Sequence, residues 1–402
     1  MTSNDTSAVL AGPDTAIRAV FREVASAWED GDTDAFVAWY ADDATAILPG
    51  FYLPGKDAIR TSMAAAFAGP LIPDRAGAGP DESGFADLTG PFRRELLAHC
   101  YRLLGSADDA EDLVQETYLR AWRSYDGFEG RSSVRTWLYQ IATNACLTAL
   151  RHRSRRQLPS GLGHPGEESL GRPAAEASPE VMWLQPLPDT LVTQESGDPA
   201  AIAVARESLR LALVASWQYL PPRQRAVLLL RDVLAFPAAD IAGMLGITTA
   251  AVKSILQRAR ARLGQAAPSP ELVAEPAEAS ARALLDQYIT AFENADAATL
   301  ERLLRADATL ELPPSRAWYS GGDAARNVVA GLGSPGDWRM LPAAANGQPA
   351  AAAYYRGGEG AYQPYGIVVL TVTSTAIARI TVFADPRLLT RFGFPPVLSG
   401  RD

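Results

Sequence analysis

The chain has 402 residues, of which 48% are apolar and 21% charged, with a formal net charge of −9. This length accommodates roughly two to four domains, and the composition excludes disordered, collagenous and disulfide-scaffold classes. No apolar run is long enough to span a bilayer, and the opening MTSNDTSAVLAGPD has no basic stretch ahead of an apolar core. Neither a membrane helix nor a signal peptide is expected, and the expected location is the cytoplasm. Cys100 and Cys146 fall on apolar helical faces and read as buried, reduced thiols.

Taken in order, residues 14–70 begin with an amphipathic helix carrying Ile17, Val20, Phe21, Val24 and Trp28. A short helix near 35–40, a strand near 44–48 and a helix near 57–67 follow. Residues 71–84 are rich in Gly, Pro and Asp and read as a linker. Residues 85–156 are helical throughout. One helix there places Ala110, Leu113, Val114, Thr117, Ala121 and Trp122 on a single stripe, and Ser106 with Asp109 forms a capping start. The next helix repeats the pattern with Val134, Trp137, Leu138, Ile141, Ala142 and Cys146, then runs into Arg151, Arg153, Arg155 and Arg156. Residues 157–198 read as an acidic flexible linker, apart from an apolar island at Trp183–Pro188 that is expected to dock. Residues 199–264 are helical again, and 265–280 form another linker. Residues 281–402 open with two helices and end in strand-like runs at 350–355, 365–373 and 376–383, an α+β pattern with curved antiparallel strands.

Charge is unevenly spread. Residues 85–156 carry 11 basic and 9 acidic side chains, residues 157–198 carry 1 and 7, and residues 199–264 carry 9 and 3. Two neutral-to-basic helical blocks thus flank an acidic connector. Such local patches, not whole-chain charge, indicate a nucleic-acid partner.

The chain also repeats itself. Residues 27–49 match 291–313 without a gap, through Ala27/Ala291, Glu29/Glu293, Asp32/Asp296, Asp43/Asp307 and Leu48-Pro49/Leu312-Pro313. The first copy stops near Pro70, before the strand-rich half of the second, so 1–84 is expected to hold part of the C-terminal fold plus a linker.

Residues 237–263 carry a helix-turn-helix signal. Gly246 supplies the positive φ of a tight turn, and Ala242 allows a close crossing. Val252 with Ile241, Leu245, Ile247 and Ile255 supplies apolar contacts. The residues that would face base edges and phosphates are Thr248, Thr249, Ala250, Lys253, Ser254, Gln257 and Arg258.

With these motifs in view, the chain resembles a bacterial sigma factor of the extracytoplasmic-function (ECF) class. FRRELLAHCYRLLGSADDAEDLVQETYLRAW…FEGRSSVRTWLYQIATNACLTALR is similar to sigma region 2, and LPPRQRAVLLLRDVL…AADIAGMLGITTAAVKSILQRARARL to region 4. The C-terminal segment resembles a SnoaL-like domain, a cone of the nuclear-transport-factor type. The resemblance implies a multidomain protein: two all-α sigma domains, a helical bundle (85–156) and a helix-turn-helix (199–264), plus a C-terminal α+β cone at 281–402.

The resemblance also implies partners. Asp109, Asp112, Gln115, Glu116, Leu119 and Arg120 would meet the clamp helices of the core RNA polymerase largest subunit, and region 4 its flap. Phe128, Arg131, Ser133, Arg135, Thr136, Tyr139, Asn144 and Arg151 would take the minus-ten element of promoter DNA, and the helix-turn-helix set the minus-thirty-five element. Three departures stand out: Ile255 where many ECF proteins have Arg, the connector in place of region 3, and the extra half-cone. The cone's carboxylates, among them Asp286, Glu293, Asp307, Glu311 and Asp323, read as caps or surface charge. Trp318, Tyr319, Trp338, Tyr354 and Tyr365 are candidates to line a small-ligand pocket. No cofactor, metal or catalytic residue is expected, and the cone is read as a built-in regulator. The alternatives are an isomerase- or cyclase-type enzyme, or a ligand-responsive repressor, on a DNA-binding scaffold.

Overall fold

A computed structural model describes residues 32–38, 45–48, 51–54, 56–57, 59–61, 82–128, 132–152, 154–166, 180–192, 207–266 and 278–399. The chain divides into two units, Met1–Asp81 and Glu82–Asp402. In the first, α1 (Thr33–Val37) is followed by an antiparallel hairpin of β1 (Thr45–Leu48) and β2 (Phe51–Pro54). The expected helix over 17–28 lies outside the described residues.

The second unit begins with a helical block: α2 (Glu82–Thr89), α3 (Arg93–Leu104), α4 (Ala107–Ser124) and α5 (Val134–Ala149). Ser106 Oγ accepts from Asp109 N at 3.1 Å and Ser133 Oγ from Thr136 N at 3.1 Å, so each of the two long helices starts on a side-chain cap. The periodic stripe faces inward: Ala110, Val114, Ala121, Leu138, Ala142 and Cys146 are all buried, and both cysteines are free.

A second helical block follows, with α6 (Leu211–Trp217), α7 (Pro222–Leu228), a π-helical turn at Leu229–Val233, α8 (Ala238–Leu245) and α9 (Thr249–Ala266). Gly246 has φ 60°, and the chain turns by 100° between α8 and α9 around the buried Ala242 and Val252. A side chain rarely tolerates that backbone conformation, which is why the turn falls on glycine.

The C-terminal part contains α10 (Glu278–Glu293), α11 (Ala297–Leu303), β3 (Leu304–Glu311), β4 (Trp318–Ser320), α12 (Gly322–Ala330), β5 (Trp338–Ala345), β6 (Gln348–Arg356), β7 (Tyr362–Val372), β8 (Ile377–Phe383) and α13 (Arg387–Arg391). The sheet order is β4-β3-β8-β7-β6-β5. The expected antiparallel sheet proves mixed and open, because the β5–β7 meander returns β8 beside β3 in the same direction. The two repeats share local devices. Asp296 caps α11 as Asp32 caps α1, each carboxylate accepting a backbone N–H at 3.0 Å. Arg326 pairs with Asp323 as Arg60 pairs with Asp57.

Both faces of this sheet are covered. Met340, Ala351, Ala353, Val368 and Leu370 face α10, α11 and α12. Ala350, Ala352, Tyr354, Ile367, Val369 and Phe383 join a second core that continues through Leu96, Tyr101, Leu184, Leu187, Val214, Leu229 and Ile241. The alternation follows from the two-residue period of a strand, and the run of small alanines in β6 lets both layers approach closely.

The connector between the helical blocks is part of that second core. Its described stretches, 157–166 and 180–192, are packed, as expected only for the 183–188 island and not for the rest of an acidic flexible linker. Leu158, Leu184 and Leu187 are buried, and the two stretches bridge where Gln157 N donates to Met182 O and Leu184 N to Gln157 O, both at 2.9 Å. Apolar side chains within an acidic segment give it enough burial to dock. The 183–188 island lies on Gly105, whose φ is 68° and whose carbonyl accepts from Gln185 N at 3.0 Å. A Cβ there would stand 2.7 Å from Leu184 Cδ1. Gly105→Ala is therefore expected to lower unfolding stability by about 1–3 kcal/mol, read as a shift of the urea midpoint. An unchanged midpoint would mean that the connector does not lie on this turn.

Candidate functional site

The outer face of α4 carries the first set of candidate residues. Asp112, Gln115, Leu119 and Arg120 are exposed, and Leu119 is 52% accessible. Trp122, one turn beyond Leu119, is 39% accessible and extends this apolar spot, although its spacing predicts a place on the buried stripe. Glu116 and Arg120 pair with each other at 2.7 Å. Asp109 is not free, because Arg156 Nη2 donates to its Oδ2 at 2.7 Å and both side chains are largely buried. Arg156 also donates to Trp183 O at 2.8 Å, so it anchors the connector and is not available to phosphate. Asp108, whose partners no local sequence signal marks, receives Gln185 Nε2 at 2.8 Å and pairs with Arg391 of α13.

The candidate face of α5 is divided. Phe128 stacks on Trp137 at 4.6 Å, Ser133 and Thr136 serve the helix cap, and Arg151 is exposed. Arg131 lies outside the described residues. The second helical block packs on the remainder, covering Tyr139 and leaving Arg135 half-buried and Asn144 exposed. Tyr139 is fully buried against Phe236, ring centroids 5.2 Å apart. The Arg135 guanidinium lies 4.8 Å from the Phe236 ring centroid and pairs with Glu95 at 3.1 Å. Asn144 Nδ2 donates to Met244 O at 3.1 Å. Arg155 sits over Tyr219, 4.3 Å from its ring centroid.

The helix-turn-helix set is fully presented. Thr248, Thr249, Ala250, Lys253, Ser254, Gln257 and Arg258 are all exposed at the start of α9 and along one side of it. Thr248 Oγ1 accepts from Ala251 N at 3.2 Å, which begins the helix. Ile255 is half-buried.

Where the helical blocks, connector and sheet domain meet, one side chain bonds to all of them. Asn346, in the β5–β6 turn, is fully buried. Its Nδ2 donates to Tyr101 Oη and to Leu209 O, both at 2.7 Å, and its Oδ1 accepts from Leu187 N at 2.9 Å. Its own N–H donates to Leu187 O at 2.9 Å, Gly347 N donates to Asp189 Oδ1 at 2.8 Å, and Gln348 Oε1 accepts from Leu211 N at 3.0 Å. Tyr101 passes its own proton on to Gln185 O at 2.7 Å. Burial raises the Tyr101 phenol far above its ordinary value, so it stays a neutral donor. Nearby, Arg225 donates to Gln218 Oε1 at 2.6 Å and to Leu220 O at 3.2 Å, and burial lowers its guanidinium to about 10, leaving it charged near neutrality. Sequence reasoning missed this hub. The one local signal was Asn-Gly, a turn dipeptide, here with φ 58° and 67°.

Inside the sheet domain is a cavity of about 60 Å³ lined by Tyr288, Phe292, Asn327, Trp338, Met340, Tyr365 and apolar side chains from β3, β7 and β8. Of the five pocket candidates, Trp338 and Tyr365 line it. Trp318 instead donates to Gly163 O at 3.1 Å and holds the connector. Tyr319 packs beside Gly166. Tyr354 faces the other core and donates to Pro395 O at 2.7 Å. Glu311 corrects the surface-charge reading: it is fully buried, pairs with Arg379 at 2.9 Å and accepts from Ser160 N at 3.3 Å. Among the described residues no His, Cys, Asp and Glu cluster suits a metal ion, and no single helix is long and apolar enough to cross a membrane.

Residues 89–156 match the Sigma-70 region 2 family model, and residues 210–263 match Sigma-70, region 4. The ECF RNA polymerase sigma factor SigG of Mycobacterium tuberculosis is 49% identical over 318 residues, spanning 78% of this chain and 85% of that protein. The chain belongs to the ECF RNA polymerase sigma factors. SigW of Bacillus subtilis is 27% identical to this sigma factor over 46% of the chain and 88% of its own length. A crystal structure of Mycobacterium tuberculosis SigJ aligns with 79% of this sigma factor and all of SigJ, at 24% identity and TM-score 0.49. This sigma factor is accordingly a subunit that directs transcription initiation, and not an enzyme.

His99 gives the region 2 core a pH dependence. It is fully buried, its Nε2 bonds Thr143 Oγ1 at 2.9 Å, and burial, then Arg102 and Arg135, lower its pKa from 6.5 to about 3. The unfolded chain therefore binds a proton that the folded one refuses. Stability is fully present above pH 6.5 and declines as pH falls toward about 3. Over that range the wild type should lose about 1.4 kcal/mol more per pH unit than His99→Gln, measured by urea unfolding at several pH values. Parallel pH profiles would contradict this.

Proposed function

We propose that this sigma factor docks on the clamp helices of core RNA polymerase through the α4 face of Asp112, Gln115, Glu116, Leu119 and Arg120, and that its helix-turn-helix block meets the flap. Asp109 contributes by fixing Arg156, not by direct contact. The exposed start of α9 reads the minus-thirty-five element. Thr248, Thr249, Ser254 and Gln257 suit base edges, and Lys253 and Arg258 suit phosphates. The α5 face takes the minus-ten strand: Phe128 and Trp137 offer a stacking platform, and Arg135, Tyr139, Asn144 and Arg151 offer polar and cationic contacts. Such a protein works in the cytoplasm, beside the polymerase.

The C-terminal sheet domain is the regulator in this reading, with a small molecule in its cavity as the candidate signal. The observation that carries it is the Asn346 hub, which bonds region 2 through Tyr101, the connector through Leu187, and the lead into region 4 through Leu209. While those bonds hold, Tyr139 is covered by region 4, Arg135 is half-buried between Glu95 and Phe236, and Asn144 donates to Met244 O, whereas the α4 and α9 faces stay open. Promoter capture then requires the two helical blocks to part.

Run-off transcription of genomic fragments with core polymerase tests this. The full chain should give promoter-dependent transcripts, and Asn346→Ala should give about fivefold more, because weakening one state shifts the population toward the other. Equal yields would remove the regulatory role. The double change Asp112→Ala, Glu116→Ala should weaken core binding about tenfold, and unchanged affinity would refute the α4 assignment. Lys253→Ala should weaken binding to all promoter sequences alike and reduce the salt slope by about one.

A further inference from the structure

The polymerase-facing stripe of α4 does not begin at Asp112. Asp108, Asp112, Gln115 and Leu119 are spaced by four, three and four residues, which keeps them on one face of the helix. Asp108 stands about 6 Å along the axis from Asp112, at roughly 1.5 Å per residue, and it is exposed. A partner helix laid along Asp112, Gln115 and Leu119 therefore reaches Asp108 as well.

Asp108 is also where the rest of the chain touches this stripe. Its carboxylate pairs with Arg391 of α13 and accepts from Gln185 Nε2 of the connector at 2.8 Å. Both contacts are exchangeable. The Asp108 side chain is 54% accessible and that of Arg391 26%, and an ion pair at such exposure is weak. Leu388 and Leu389 are buried and hold α13 in the core, so the Arg391 guanidinium can swing away while the helix stays. Gln185 is tied at other atoms. Its N donates to Gly105 O at 3.0 Å, its carbonyl accepts from Tyr101 Oη at 2.7 Å, and its Oε1 accepts from Ser106 Oγ at 2.7 Å. Its Nε2 can leave Asp108 with those bonds kept. Asp108 lies in the first turn of α4, where the helix N-terminus favours negative charge whether or not Arg391 is beside it.

We infer that Asp108 is part of the surface that meets core polymerase, and that a cationic side chain on a helical surface of the polymerase takes the place of Arg391 there. This rests on the α4 assignment under Proposed function. Charge and apolar character along the stripe select the partner. Asp108 and Asp112 face outward at one end, and Leu119 and Trp122 at the other. The fitting surface is basic where it meets the first turns and apolar about 16 Å farther on. The sheet domain and the polymerase thus draw on one carboxylate. Coupling of this kind is reciprocal: the Arg391 contact weakens docking, and docking weakens the hold of α13 on region 2.

The test is a double-mutant cycle on core-polymerase binding by the full chain. Arg391→Met keeps the apolar stem, removes the competing charge and should tighten binding about threefold. A gain of affinity is a result that misfolding cannot give. With Arg391→Met in place, adding Asp108→Ala should weaken binding about fivefold. In a chain that already carries Asp108→Ala, Arg391→Met should change nothing. Unchanged affinity in Arg391→Met, or an equal gain with and without Asp108, overturns the competition. Equal affinity of the Arg391→Met chain and the doubly changed chain overturns Asp108 as a polymerase contact. If the Asp112→Ala, Glu116→Ala change weakens binding while this cycle is flat, the α4 assignment stands and the Asp108 inference alone falls. If both are flat, the α4 assignment falls with it.

Discussion

A primary amide buried without water must find partners for two N–H groups and a carbonyl, or lose about 1–3 kcal/mol for each group left unmet. Asn346 finds them on three different segments: Tyr101, Leu209 and Leu187. Those segments belong to region 2, the lead into region 4 and the connector, so the demands of one side chain are met only when all three are in place. The arrangement is close to all-or-none, since a partly satisfied buried network is worse than an apolar one. The hub thereby fixes the register of the closed body, whose adhesion comes from apolar burial. The connector lies along Gly105, α8 covers α5, and the sheet buries both of its faces.

The apolar core shared by the helical blocks and the sheet adds adhesion without much direction, because burial of alanine and leucine is tolerant of small shifts. The polar hub supplies the register. Arg225 and Gln218 do the same on a smaller scale between regions 2 and 4, with Gln218 Nε2 donating to Arg102 O at 3.4 Å. Closed packing thus rests on bulk burial, and its geometry rests on a few polar groups. This division suits a switch. A small perturbation at the hub releases that specific geometry.

Much of the fold was legible from local chemistry. The stripes of α4 and α5, the Ser106 and Ser133 caps and the Gly246 turn each depend on residues a few positions apart, and periodicity exposes these. The exposed α9 face was legible for the same reason. What escaped depends on distant partners. Arg156 read only as the end of an arginine run, because nothing near it in sequence announces Asp109, 47 positions away. Tyr354 was misassigned as a pocket residue because β6 is apolar on both faces and carries no alternation to orient it, and Trp318, in β4, because nothing near it in sequence announces Gly163, 155 positions away. Outside the 183–188 island the connector looked flexible because its acidic composition outweighed the buried Leu158. The ECF resemblance supplied partners for the outer faces, but not the fact that region 4 already occupies part of one.

The closed body is most directly tested by a distance between regions 2 and 4 in solution. Cys100 and Cys146 are buried, so fluorophores placed at exposed Arg123→Cys and Gly264→Cys would report on the blocks alone. The free chain should show one narrow energy-transfer distribution that shifts to lower efficiency on binding core polymerase, and Asn346→Ala should populate the low-efficiency state without polymerase. A distribution that is broad in the free chain, or unaffected by Asn346→Ala, would contradict a latch at the β5–β6 turn.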